Sequence, residues 1–241
     1  MLEKYNVNYF VPLVQKKLGN RQDIVADAPL YIRQALLEIT RSDKYDFEEL
    51  KVTGQVTQFQ TGVSSYDKNF FCNENDELCK VVTWFVYLVP ISGLNPTGQA
   101  NVGYIKKGRD VGVVEAMANI PGIPSLYAQH GEQLIVGAQP NNTYATYMRY
   151  QRVHPFSKSP SQWPGDTVYL PPDWEEIIAV SAAFRLAYDK RMFDYASALK
   201  QYLYGDPESK ELGVMDRRVT QQELMTTRNE RQLRPVVRRT T

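Results

Sequence analysis

Pro171-Pro172-Asp173-Trp174-Glu175-Glu176-Ile177-Ile178-Ala179-Val180-Ser181-Ala182-Ala183-Phe184-Arg185-Leu186-Ala187-Tyr188 is the stretch that decides the fold. Two prolines hold the approach extended and release it into a run that contains none. Asp173 and Glu176 are spaced like a capping box, with aspartate standing where serine or threonine is usual. Onward to Tyr204, one series of mostly large residues recurs at steps of three or four: Trp174, Ile177, Ser181, Phe184, Tyr188, Met192, Tyr195, Leu199 and Leu203. That spacing predicts a helix whose core side chains are Trp174, Ile177, Phe184, Tyr188 and Leu199. Unbroken, it would be roughly 45 Å long; a bend at Asp189-Lys190-Arg191 would make two helices of it. Ala179, Ala182, Ala183 and Ala187 form a second face, small enough for another helix to come close. Gly205 is placed to end the run as a left-handed residue.

Working outward, residues 153–172 form a connector marked by Pro155, Pro160, Pro164, Pro171 and Pro172 and carrying Trp163. Loops rarely bury a tryptophan locally, so Trp163 is a candidate for a contact between subunits. Residues 50–151 carry a β pattern. Val52–Gln60, Lys80–Val89, Val111–Ala116, Leu134–Ala138 and Tyr144–Gln151 are the predicted strands, and Lys80–Val89 is apolar enough to be buried on both faces. Ser92-Gly93, Asn95-Pro96, Pro121-Gly122 and Pro140-Asn141-Asn142 supply turns between them. Near the start, Ala28–Arg41 reads as a helix with Asp27 as N-cap, Pro29 in its first turn and Ile32, Ala35, Leu36 and Ile39 on one face. Residues 1–26 are mixed, and Pro12 and Gly19 argue against a long helix there.

The predicted fold is therefore α+β: a small α-helical bundle with an inserted antiparallel β-sandwich or barrel and an extended C-terminal tail. Residues 1–50 form its N-terminal helical part and 51–152 the inserted β domain. Residues 153–212 bring the connector and long helix back to the first part, and 213–241 are the tail. The tail has seven arginines against three carboxylates, a net of +4, which leaves the rest at 21 cations to 24 carboxylates, a net of −3.

With 241 residues and 43% apolar content the chain can bury a real core. A net charge of +1 excludes a global basic field for nucleic acid or membrane. The N-terminus shows no basic-then-apolar leader, and the longest apolar run, Val81 to Pro90, is too short to cross a bilayer. A soluble protein made in the cytoplasm is the expectation. Cys72 and Cys79 lack two further zinc ligands, since His130 and His154 are isolated. Asp67, Asn69, Asn73, Asn75 and Asp76 offer oxygens, but neither their order nor the missing central glycine fits a calcium loop. His130 has Glu132 nearby across Gly131, a turn rather than a catalytic pair. The chain contains no phosphate loop, Gly-x-Ser-x-Gly, metal-binding histidine pair or nucleotide fingerprint. No catalytic role, metal or cofactor is expected.

Two stretches carry a family resemblance. One is Tyr31-Ile-Arg-Gln-Ala-Leu-Leu-Glu-Ile-Thr-Arg with the acidic-aromatic Asp46-Phe47-Glu48-Glu49-Leu50 after it. The other is the block Tyr169-Leu-Pro-Pro-Asp-Trp-Glu-Glu-Ile-Ile-Ala-Val-Ser-Ala-Ala-Phe-Arg-Leu-Ala. Together they resemble the head-to-tail adaptor (head-completion or neck) proteins of tailed bacteriophages. The resemblance implies a structural virion protein without enzymatic activity, located in the neck and assembled in the host cytoplasm. It implies a ring, commonly of twelve copies, that docks on the portal protein, extends the DNA channel and receives tail or nozzle proteins. DNA would pass through it without sequence-specific contacts, and no membrane is involved.

Within that expectation the tail is the portal-docking element, with a solvated disordered end and direct nucleic-acid binding as the two other readings. Arg217, Arg218, Arg228, Arg231, Arg234, Arg238 and Arg239 alternate with apolar residues, among them Leu224, Leu233 and Val236. Neutralising phosphates needs no apolar residues, whereas folding into a partner's groove does. The competing class is a carbohydrate- or surface-binding β-sandwich of the neck or collar, with Tyr127, Tyr144, Tyr147 and Tyr150 as a stacking platform.

Overall fold

The computed structural model describes residues 5–88, 102–156, 159–206 and 211–220. Among these the helices are α1 (Val7–Lys17), α2 (Ala28–Arg41), α3 (Val111–Met117), α4 (Glu175–Asp189) and α5 (Phe193–Tyr204). The first strands are β1 (Lys51–Thr53), β2 (Thr57–Phe59), β3 (Ser65–Asp67), β4 (Leu78–Tyr87), β5 (Val102–Tyr104) and β6 (Lys106–Lys107). The rest are β7 (Pro121–Gly122), β8 (Leu126–His130), β9 (Gln133–Gly137), β10 (Gln139–Pro140), β11 (Tyr144–Arg152), β12 (Gly205–Asp206) and β13 (Glu211–Leu212). The chain is mixed α and β, its sheets are mostly antiparallel, and no closed barrel forms among the described residues. It divides into two compact units, one of Met1–Glu49 with Phe156–Thr241, the other of Leu50–Pro155.

The first unit is built around α4, which packs against α1, α2 and α5. Ile177 through Ala183, with Leu186 and Ala187, are all buried, so this helix has almost no solvent face over its first three turns. Ala182, Ala183 and Ala187 let neighbouring backbones approach where larger side chains would hold them off. Helix α1 was not expected, because Pro12 lies inside it. It forms because Val7, Phe10, Val11, Val14 and Leu18 make a buried stripe at helical spacing. Pro12 sits on the exposed side, where water can take the carbonyl it leaves unpaired. The Asn6 side chain caps the helix by accepting from the Tyr9 amide at 3.0 Å.

Of the two forms expected after Pro172 the chain takes the bent one, two helices broken where Arg191 adopts φ 58° and the Met192 amide bonds back to the Ala187 carbonyl at 2.8 Å. Other local expectations need correction. Asp173 caps nothing: Pro172–Trp174 is a 3-10 turn without a side-chain cap. Asp27 makes no cap bond either, and its carboxylate pairs with Lys190 at 2.6 Å. Gly205 has the positive φ expected, 79°, but its ψ of −177° takes it out of the left-handed helical well and into β12. There it pairs with Leu212, and a side chain at either Gly205 or Gly213 would run into the backbone opposite.

In the second unit β4 and β11 are the central pair, with Trp84 opposite Met148 and Phe85 opposite Tyr147. The far edge of β11 carries β1 and β2 in succession, and β5 lies on the far edge of β4. A second sheet runs β3-β9-β8-β6, with β6 parallel to β8, and β7 pairs with β10 in parallel. Side chains from both larger sheets share one aromatic core, in which Trp84 touches Phe59, Phe71 and Tyr127 with ring centroids 4.8–5.8 Å apart. Its indole N–H donates to the buried Thr146 hydroxyl at 2.8 Å, so the largest core residue leaves no polar atom stranded.

Two strand expectations fail in this unit. Val111–Met117 is helix α3, because the Asp110 side chain accepts from the Gly112 amide at 2.8 Å and only Val114 is buried. Its three valines suggest a strand, but one buried residue per two turns satisfies a helix as well. From Thr83 to Tyr87 strand β4 is buried on one face only: Trp84 and Val86 point inward while Thr83, Phe85 and Tyr87, on the other face, are only half-buried. No described helix is long and apolar enough to cross a membrane.

The packing predicts that Ala183→Leu destabilises the fold by about 1–3 kcal/mol through overpacking, whereas Tyr188→Ala moves it by no more than about 0.5 kcal/mol. Urea melts of the two variants check this. Burial also holds Tyr45, Tyr66 and Tyr127 at a pKa of about 12, against 10.0 for a free tyrosine. Folded pKa values raised this way give stability that is complete below pH 10 and is lost as pH climbs towards about 12. In an alkaline titration, tyrosinate absorbance should therefore appear together with loss of circular dichroism rather than ahead of it.

Candidate interaction surfaces

The C-terminal half of α4 and the whole of α5 leave their aromatic side chains outside. Trp174 and Ile177 are core, as their spacing predicts, but Tyr188 is 64% exposed and Phe184 and Leu199 are only half-buried. The Trp174–Tyr188 stripe runs straight along α4, while packed helices cross at an angle. Burial therefore passes from that stripe to Ala183, Leu186 and Ala187 by the last turn. The rings left outside form a chain: Phe184 lies 6.5 Å from Tyr188, and Tyr188 6.2 Å from Phe193, itself 60% exposed.

A shallow groove beside this chain is lined by Leu30, Tyr31, Gln34, Phe184, Arg185, Tyr188 and Asp189. Its charges are satisfied locally. Tyr31 donates its hydroxyl to Asp189, and Arg185 pairs with Glu38. Burial and that carboxylate together push the Tyr31 phenol up to about 12. Charges paired across the floor and rings uncovered at the rim suit contact with another apolar surface. Helix α5 repeats the theme, since only Ala196 and Leu203 are buried in it while Tyr195, Tyr202 and Tyr204 are exposed. Sequence spacing alone misses this surface, because a stripe at helical period shows where apolar residues align and not which neighbour covers them.

The root of the C-terminal segment is fixed to the same unit. Residues 214–220 are helical rather than extended. Met215 is buried, 3.8 Å from the Tyr45 hydroxyl. Arg218 reaches Asp173 twice, at 2.7 Å to the carboxylate and 2.9 Å to the carbonyl. Arg218 is thus engaged within the chain, while Arg217 is exposed. Leu224, Arg228, Arg231, Leu233, Arg234, Val236, Arg238 and Arg239 lie outside the described residues. Trp163 is half-buried, with the Arg33 guanidinium 4.1 Å from its ring centroid and Phe156 5.3 Å from that same guanidinium. One face of the indole is used inside its own unit.

In the second unit the expected tyrosine platform does not assemble. Tyr127, Tyr144 and Tyr150 are buried on the core side, and only Tyr147 lies on the opposite face. The acidic loop after β3 spends its oxygens internally. Asp67 accepts from the Asn69 amide, Asn69 from the Leu78 amide, and Asp76 from Tyr150 at 2.6 Å and Arg152 at 3.1 Å. Cys72 and Cys79 are not joined in a disulfide, and burial pushes the Cys72 thiol up to about 12. Among the described residues no group of three or more histidine, cysteine, aspartate or glutamate side chains is placed to hold a metal ion.

No family model matches the chain, and no curated protein matches it either.

Arg218→Ala should cost at most about 1 kcal/mol of global stability, the scale of a partly exposed ion pair. It should nonetheless raise amide exchange across residues 214–220, measured by mass spectrometry. Unchanged protection there would mean that Met215 alone holds the segment.

Proposed function

We propose that this protein is a non-enzymatic structural subunit of a tailed-phage neck, a head-to-tail adaptor that forms a ring on the portal. In this reading the first unit is a small helical bundle and the second an inserted β-sandwich. The observation that carries it is the uncovered aromatic chain Phe184–Tyr188–Phe193 on a helix otherwise enclosed by its neighbours. A monomer gains nothing from large rings held in water, while a ring of copies would bury them at each junction. The resemblance of the Tyr169–Ala187 block and the early helix to adaptor proteins points the same way.

The tail is the proposed portal dock. Its root is anchored by Met215 and Arg218, so the residues beyond Thr220 start from a defined point on the helical unit. Their arginines would meet portal carboxylates, and Leu224, Leu233 and Val236 would supply the apolar anchors. DNA would pass without being gripped. The rival carbohydrate platform loses three of its four tyrosines to the core, and nothing in the second unit favours it as first drawn.

The purified protein should be monomeric alone and should form rings, visible by electron microscopy, only when mixed with its portal. Deleting 221–241 should leave the melting curve intact and abolish portal capture in a pull-down. Leu224→Ser with Val236→Ser should weaken capture with every arginine retained. Tyr188→Ala with Phe193→Ala should leave capture of single copies intact and prevent ring closure. Full capture by the tail-deleted protein would falsify the docking role.

A further inference from the structure

We infer that the outer face of the five-stranded sheet, together with the cationic segment 106–109 that continues from its edge, is a binding site for single-stranded nucleic acid. The inference concerns the second unit alone and does not rest on the adaptor reading.

Side chains alternate across β4 and β11, so Trp84, Val86 and Met148 fill the core while Phe85, Tyr87 and Tyr147 stand on the other side. Strand β5 adds Tyr104 directly opposite Phe85. The four rings form one cluster: Phe85 stacks on Tyr147 at 4.7 Å and 14°, lies 4.9 Å from Tyr104, and Tyr147 lies 6.0 Å from Tyr87. Tyr104 is 61% exposed, which leaves its ring open to a ligand stacked on it.

Charge supplies the second, independent observation. The strands β1, β2, β4, β5 and β11 contain not one aspartate or glutamate, and of their cations Arg152 is already paired with Asp76 at 3.1 Å while Arg149 is exposed. Two residues after Tyr104 come Lys106, Lys107 and Arg109, all exposed. The next carboxylate, Asp110, is occupied in capping α3. These cations stand on fixed backbone rather than a loose loop. The Ile105 amide bonds to the Trp84 carbonyl at 2.9 Å, Lys106 to Ser125 at 2.9 Å and Gly108 to Tyr127 at 2.8 Å. Two residues along a strand is about 7 Å, so the first cation lies within one nucleotide's reach of the exposed ring.

Rings beside cations, with no carboxylate among them, match a strand whose bases are unpaired: phosphates meet lysine and arginine, and base faces meet the aromatics. A duplex presents its phosphates but keeps its base faces covered. An uncharged sugar could use the rings but would leave the cations without a role.

The test is fluorescence anisotropy of the full-length protein with a fluorescein-labelled oligothymidylate, the same strand in duplex form, and inorganic polyphosphate as competitor. The single strand should bind more tightly than the duplex. Its affinity should fall with salt at a log–log slope of about −2, near −0.7 for each of three phosphates neutralised. Replacing Lys106, Lys107 and Arg109 together by alanine should remove about 2 from that slope without changing the melting curve. Tyr104→Ala should weaken binding about fivefold or more, and Tyr104→Phe should restore it. Absence of binding, equal affinity for the duplex, equal competition by polyphosphate, or an unaltered slope in the triple variant would each overturn the assignment. Should Tyr104→Ala disturb folding, the triple variant and the duplex comparison decide alone.

Discussion

Helix α4 has no solvent face where Ile177 to Ala183 lie, and the first unit follows from that constraint. An apolar helix that cannot be left wet must be enclosed, and α1, α2 and α5 enclose it. The alanines decide how closely they do so. Because neighbours can come near, α2 fixes Asp27 and Tyr31 where Lys190 and Asp189 meet them, and α1 sets Lys17 against Glu176 at 2.8 Å. The Lys17 ammonium in turn holds the Glu176 carboxyl below the usual carboxylate range. Ion pairs around the periphery are thus a result of the packing rather than its cause, which accords with the small stabilisation such pairs provide.

Much of this was legible in the sequence, and the failures have physical reasons. Helix α2 ends where its pattern says, and the α4–α5 pair was foreseen as one of two alternatives. Pattern alone misses helix α1 because Pro12 counts there as a breaker, although a proline on the wet side of a helix sacrifices only a bond that water replaces. Helix α3 escaped because valines suit strands, and a seven-residue segment is too short for period alone to decide. Capping assignments at Asp27 and Asp173 failed for another reason. Each carboxylate found a cation distant in sequence, Lys190 and Arg218, which no local pattern can reveal. The interaction surfaces were least legible of all. Whether Tyr188 or Tyr150 meets water depends on what crosses over it, and that is a property of the assembled unit.

The two units handle their aromatic surplus differently. In the first, rings outside the core stand among charges already paired, so the surface is locally neutral and suited to another protein's apolar face. In the second, rings stand on strands that carry no carboxylate, close along the chain to the exposed cations Lys106, Lys107 and Arg109. Tyrosine content alone therefore says little about function in this chain; the charges beside each ring distinguish the two faces.

The pairing of Lys51 with Gln151 bears on how the chain finds its fold. The second unit begins and ends on neighbouring antiparallel strands, so once β1 has zipped onto β11 the ends of a 106-residue segment, 50–155, are held side by side. Joining α2, which ends at Arg41, to α4, which begins at Glu175, then involves closing a span of roughly thirty residues instead of more than a hundred, which lowers the entropic barrier by about 1 kcal/mol. The inserted strands act as a clasp on the helices' own folding route: whatever speeds the closing of β1 on β11 brings the two halves of the helical unit together sooner, although they lie far apart along the chain.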